Sequence, residues 1–159
     1  MRRLINLFKE PIYKDDLKQA LLYGSLHMVL FGILAGALQF FAQVYIGLGF
    51  SLLIYLLAYM IGKGIRDRIF TYHIWYSVIA VAFFLVGYII YYISFYAFIS
   101  HNVLFSIQYV LSWDGLRYLV FGFLNFKTYV GVNILYNILD LIILIFCILT
   151  AWRMPLSRK

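Results

Sequence analysis

Asn133, Asn137 and Asp140 stand out because their surroundings are almost pure hydrocarbon: the stretch from Gly131 to Phe146 reads GVNILYNILDLIILIF. Spacings of four and then three residues put all three on one face of a helix. Asp140 comes twelve residues before Trp152, a rise of about 18 Å, which is near mid-membrane. A charged carboxylate at that depth costs about 2.5–3.5 kcal/mol to insert. It must therefore face protein or water, and it must be protonated or hydrogen-bonded. Two chemistries fit such a stripe. One is a site for a proton or a cation. The other is interhelical glue, worth about 0.6 kcal/mol per hydrogen bond. No second acid and no Lys or Arg lies deep in an apolar run, and a relay ordinarily needs more than one station. Glue is the favoured reading and transport the alternative.

His27 is a lone histidine inside an apolar run, about 10 Å from the start of that run at helical rise, and is a possible polar partner for the stripe. His73 and His101 are far off in sequence, and no H-x-x-x-H or H-E-x-x-H spacing occurs. The single cysteine, Cys147, supports neither an internal disulfide nor a thiolate metal site. No metal site and no cofactor is expected. Walker loops, nucleophile elbows and paired Ser–His signatures are missing from the sequence, so no catalytic residues are assigned and the chain is read as non-enzymatic.

The elements that must position the stripe can be read from composition. Of 159 residues, 65% are hydrophobic and 12% charged, against roughly half and a quarter in a soluble domain. A water-facing fold of this size cannot hide that much apolar surface. The expectation is an all-α, polytopic membrane protein forming a single transmembrane domain. Its four transmembrane helices cover about 20–42, 44–62, 72–99 and 131–152. Gln43 and Gly47 are the only turn material between the first two, and GKGIRDR (Gly62 to Arg68) closes the second as a loop. Tyr72, Trp75 and Tyr76 at one end of the third span, and Tyr91, Tyr92 and Tyr96 at the other, read as interfacial belts. Residues 101–129 are apolar but interrupted, which predicts an outer-side interfacial or re-entrant segment broken near Ser112 to Gly115.

The first span carries Gly32, Gly36, Gln39 and Gln43, and its Gly32-x-x-x-Gly36 pattern permits close helix approach. Counted from the membrane ends, these residues match the depths of Asp140, Asn137 and Asn133. That match predicts a helix-packing face meeting the last span. Orientation comes from the cations. Eleven of the thirteen Lys and Arg fall in the N-tail (1–18), in the 62–68 loop and in the C-tail (153–159), leaving Arg117 and Lys127 on the other side. Positive charge collects on the cytoplasmic face, so both termini are placed there. Arg2, Arg3, Lys9, Lys63, Arg66, Arg68 and Arg153 are the expected contacts to an anionic inner leaflet. The net charge of +7 is thereby explained without nucleic acid. The segment MRRLINLFKEP is read either as a surface-lying helix or as a solvated basic tail.

YLLAYMIGKGIRDR (Tyr55 to Arg68), closing an early helical hairpin, resembles a group of uncharacterised small bacterial multi-span inner-membrane proteins with an I-G-x-x-I-R-like loop. The resemblance implies a bacterial inner membrane location, and no activity comes with it. The expected function is an accessory, anchoring or assembly subunit, its partner another membrane protein or a second copy. The alternative is a small oligomeric transporter or channel built on Asp140, and an enzyme acting on lipid is a distant third.

Overall fold

The structure is a computed structural model that describes residues 12–47, 53–71, 73–121 and 132–157, the side chains of 118–121 and 132–137 excepted. Every regular element among these is helical. Helix α1 (Lys14–Phe41) continues into a π-helical turn (Ala42–Ile46) that ends at Gly47, whose left-handed φ of 72° stops it. Helix α2 is Leu53–Arg66 and α3 is Ile74–Ser100. Two short helices, α4 (Val103–Leu111) and α5 (Trp113–Phe121), precede α6 (Val132–Arg153), which closes in a 3-10 turn at Met154–Leu156.

Among the described residues, three helical stretches are long and apolar enough to cross a membrane: Lys14–Ile46, Ile74–Ser100 and Ile138–Leu156. The expectation of four spans is corrected to three. The expected second span over 44–62 fails at both ends. At its start, nothing before Gly47 breaks a helix, so residues 44–46 belong to the first one. Among the described residues the next helix, α2, has 14 residues, about 21 Å of helix against a hydrocarbon core of about 30 Å. At its end, Gly62 and Gly64 are not loop material. Both are buried inside α2, where a side chain would strike Met154 and His27 respectively. Their missing Cβ atoms admit neighbours, and the helix runs on to Arg66.

Although short, α2 returns the chain to the end where α1 began. Phe70 and Thr71, just after α2, are bonded to Asp16 of α1. Arg66 donates to Ser157, and Ser77 of α3 donates to the Trp152 carbonyl of α6. The start of α1, the end of α2, the start of α3 and the end of α6 thus share one end of the bundle, the basic end.

Helices α2 and α3 form the middle of the bundle, with α1 and α6 on opposite flanks, each packed on both. The core is filled by Leu57, Ile61 and Ile65 of α2, by Tyr76, Ala80, Phe84 and Tyr91 of α3, and by Cys147 and Ala151 of α6. Tyr76 and Tyr91 are therefore core residues, which corrects their place in the expected interfacial belts. A tyrosine ring buries large apolar area in a core, at the cost of a hydroxyl that then seeks a partner.

Helix α4 folds back on the far end of α3 through Tyr96 and Tyr109, whose ring centroids are 5.1 Å apart. His101 makes the corner in a left-handed conformation, with φ at 53°. The Asn102 side chain then caps α4 by accepting from the Phe105 amide. Ser112 does the same for α5, accepting from the Gly115 amide at 3.0 Å.

Candidate functional site

Asp140 lies on α6 and is half-buried. The Ser77–Trp152 bond sets the register of α6 on α3. From Trp152 to Asp140 is about 18 Å of helix and from Ser77 to Tyr88 about 17 Å. Antiparallel packing therefore brings Asp140 level with Tyr88. The Tyr88 hydroxyl donates in turn to that of Tyr92, 3.3 Å away on the next turn of α3. Rings continue the contact from Tyr92 to Tyr96 at 6.4 Å and on to Tyr109 of α4. The carboxylate thus stands at the foot of a row of phenols leading to the far end of the bundle. The sequence reading missed Tyr88 as a neighbour of Asp140, although a Tyr every three to four residues along α3 is a visible signal. Asn133 and Asn137 lie on α6 with their side chains outside the described set.

His27 does not reach Asp140. Its ring lies on α2, where Gly64 leaves space for it, and it stacks on Phe31 at 5.6 Å. Its Nδ1 is 2.7 Å from the Tyr23 carbonyl of its own helix. Helix α1 sits on the opposite flank of the bundle from α6, so the expected pairing with Asp140 is corrected.

The same flank assignment corrects the expected partner of the first packing face. A side chain at Gly32 would meet Ile90 and the Gly87 carbonyl, and one at Gly36 would meet the Tyr91 carbonyl and Ser94. All four are on α3, not on the last span. The depths still match, since Gly87 and Ile90 flank the level of Asp140, but the neighbour is a different helix. Gln39 is buried on this face, whereas Gln43 is exposed. Wider winding in the π turn carries Gln43 off the line that α-helical spacing would hold.

At the basic end the principal polar cluster is Asp16, which is 4% exposed. One of its oxygens accepts from the Phe70 amide (3.1 Å), the Thr71 amide (3.0 Å) and the Thr71 hydroxyl (2.8 Å). Charge-assisted bonds of this kind are the strong ones. In sequence Asp16 looks like an ordinary acid favouring a helix N-terminus. Its role as a clasp depends on donors 54 and 55 residues away and has no local signature. Around it stand the cations. Arg68 lies over the Tyr23 ring at 4.2 Å and Lys63 near Tyr59 at 5.9 Å. Arg66 bonds to Ser157 and pairs with Asp67 at 3.5 Å. Arg153 is exposed. Arg2, Arg3 and Lys9 lie outside the described residues.

His73 accepts from the Trp75 amide as a cap of α3. Among the described residues, no three His, Cys, Asp or Glu side chains gather as a metal site requires. No protein-family profile, no curated protein and no solved structure matches the chain.

Proposed function

We propose that the chain is a non-enzymatic integral membrane subunit, an anchoring or assembly partner for another membrane helix, in the inner membrane of a bacterium. The observation that carries this reading is the outer face of α6. Ile138, Ile142, Ile145 and Leu149 are all exposed, and their spacing of four, three and four is that of a helix–helix seam. The opposite face of α6, through Cys147 and Ala151, is already consumed by the core. Helices in lipid associate by close packing rather than by the hydrophobic effect, and a regular, uncovered seam provides the surface for it. Positive charge at the basic end orients that end toward the cytoplasm and toward anionic lipid. Extraction of the full chain under gentle conditions, followed by mass analysis, tests the reading. A second membrane chain or a second copy should be recovered in fixed stoichiometry and be lost in Ile142→Asn. A solitary chain under every gentle condition would overturn it.

One observation favours a second reading, a small transporter for protons or cations. It is the succession of Asp140, level with Tyr88, and of Tyr88 and Tyr92 leading toward the far end. In that case Asp140→Asn abolishes flux in proteoliposomes while partner recovery is unchanged.

A further inference from the structure

Helix α4 is inside out for a segment in water. Ser106 and Val110 are its buried residues, and the Ser106 hydroxyl lies 3.0 Å from that of Ser100 and 2.8 Å from the Asn102 carbonyl. Facing outward are Val103, Leu104, Phe105, Tyr109 and Leu111, with Gln108 among them. Leu104 is 73% exposed, and Trp113, just past the end of the helix, 80%. At 100° per residue the exposed positions from Val103 to Tyr109 sweep about 240° of the helix surface. A partner helix covers a stripe of about 100°; only a fluid covers the remainder as well.

The course of α4 sets its depth. Ser106 meets Ser100 and, one turn on, Tyr109 meets Tyr96, with ring centroids 5.1 Å apart. The helix therefore travels back beside α3 toward the middle of the bundle, not across its end. With the Asp140–Tyr88 level at the bilayer centre, Tyr96 stands about 12 Å and Ser100 about 18 Å away, on either side of the roughly 15 Å at which one leaflet's hydrocarbon ends. Leu111 comes two residues after Tyr109, about 3 Å deeper. Polarity follows the same gradient. His101 and Asn102, at the corner before α4, are exposed, whereas the elbow after it satisfies its own backbone. The Ser112 hydroxyl donates to the Tyr109 carbonyl at 2.7 Å and accepts from the Gly115 amide at 3.0 Å, and the Ser112 carbonyl accepts from the Leu116 amide at 2.9 Å. A bend without water must do this. A side chain at Gly115 would strike the Tyr109 and Val110 carbonyls, so α5 is already back at the Tyr109 level there. Asp114 and Arg117, both exposed, thus stand near the hydrocarbon boundary.

We propose that α4 is a re-entrant helix whose outer face is covered by lipid acyl chains. It dips from the aqueous corner at His101 and Asn102 into the far leaflet, turns at Ser112 and comes back as α5. A helix lying flat on the membrane keeps its polar side toward water and stays at one level; α4 turns its hydroxyl inward and changes level along its length. The proposal rests on the membrane reading above and on no part of the α6 seam.

Leu104, Gln108 and Leu111 are spaced by four and three residues and share one face, so a flat helix holds them at one depth and a descending helix does not. Each is replaced by cysteine in full-length Cys147→Ala protein, spin-labelled and reconstituted in phospholipid vesicles. Val86→Cys, on the exposed side of α3 near the Tyr88 level, serves as the reference. Collision of the label with oxygen, which concentrates in hydrocarbon, against collision with a polar nickel chelate reads the depth. The label of Leu111→Cys should lie about 10 Å deeper than that of Leu104→Cys, with Gln108→Cys between them and Val86→Cys deepest. Without the bulky label, the same cysteines should react with a membrane-impermeant maleimide fastest in Leu104→Cys and slowest in Leu111→Cys. Equal depths at the three positions, or a Leu111→Cys label shielded from both reagents as a protein partner would leave it, would overturn the proposal, while an immersed Val86→Cys label would leave the membrane reading standing. A Val86→Cys label open to the nickel chelate would sink both.

Discussion

Helix α3 meets α1 along one flank and α6 along the other, and the two seams use small residues to different ends. On the α1 side, Gly32 and Gly36 face the backbone of α3 at Gly87 and Tyr91. Two helix backbones approach each other there, and the Ser94 hydroxyl donates across to the Ile33 carbonyl at 2.9 Å. On the α6 side, contact is made through side chains. Cys147 and Ala151 are fully buried, Gly62 of α2 faces a side-chain carbon of Met154, and the Ser77 hydroxyl donates to the Trp152 carbonyl at 2.7 Å. The hydroxyl bridges are alike; the steric margins are not. A carbonyl inside a 27-residue helix cannot retreat without moving the bundle, whereas Met154 belongs to a three-residue terminal turn.

Substitutions can break or sharpen that contrast, and Cys147 supplies the readout. Its thiol is fully buried, so reaction with a thiol-specific dye on heating reports opening of the bundle. Gly36→Ala should have the largest effect, about 3 kcal/mol of destabilisation, because overpacking here meets backbone. Recovery of a near-normal midpoint for this variant would dissolve the distinction between the seams. Asp16→Ala comes next, at about 2 kcal/mol, since it strips the acceptor from three donors that pin the α2–α3 turn to α1. Asp16→Asn, which keeps an oxygen acceptor, should cost about half as much. Gly62→Ala should cost about 1–2 kcal/mol, at the tolerant end of overpacking. If it matched Gly36→Ala, the α6 seam would be as unyielding as the other. Ser94→Ala and Ser77→Ala should be smallest, about 0.6 kcal/mol each, and equal, because each removes one hydroxyl bridge to a helix carbonyl.

The two ends of the bundle differ in a parallel way. The basic end is held by charge and hydrogen bonds: Asp16 on the turn, Arg66 on Ser157, Arg68 over Tyr23. The far end is held by rings, with Tyr92, Tyr96, Tyr109 and Phe105 in continuous contact. Aromatic rings and long cationic side chains both combine an apolar body with a polar tip, so each can close the end of an apolar bundle.

Sequence alone determined the helical class, the apolar composition of the long helices and the gathering of cations in three segments, because hydropathy and charge are properties of a residue wherever it ends up. It also determined level along the bundle, because rise per residue is constant: Gly32 and Asp140 come out at one level whichever helices they touch. Lateral order was decided only in the tertiary structure. The same Gly-x-x-x-Gly face could pack on any antiparallel neighbour, and it is α3 rather than α6 that presents carbonyls to it. Helix boundaries near glycine were likewise a tertiary matter. Gly62 and Gly64 have the composition of a loop, but Met154 and His27 fill the space their absent side chains leave, and packing of that kind outweighs a propensity cost of about 1 kcal/mol per glycine. The Asp16 clasp belongs to the same class, for its donors stand 54 and 55 residues away and only the folded chain brings them to the carboxylate.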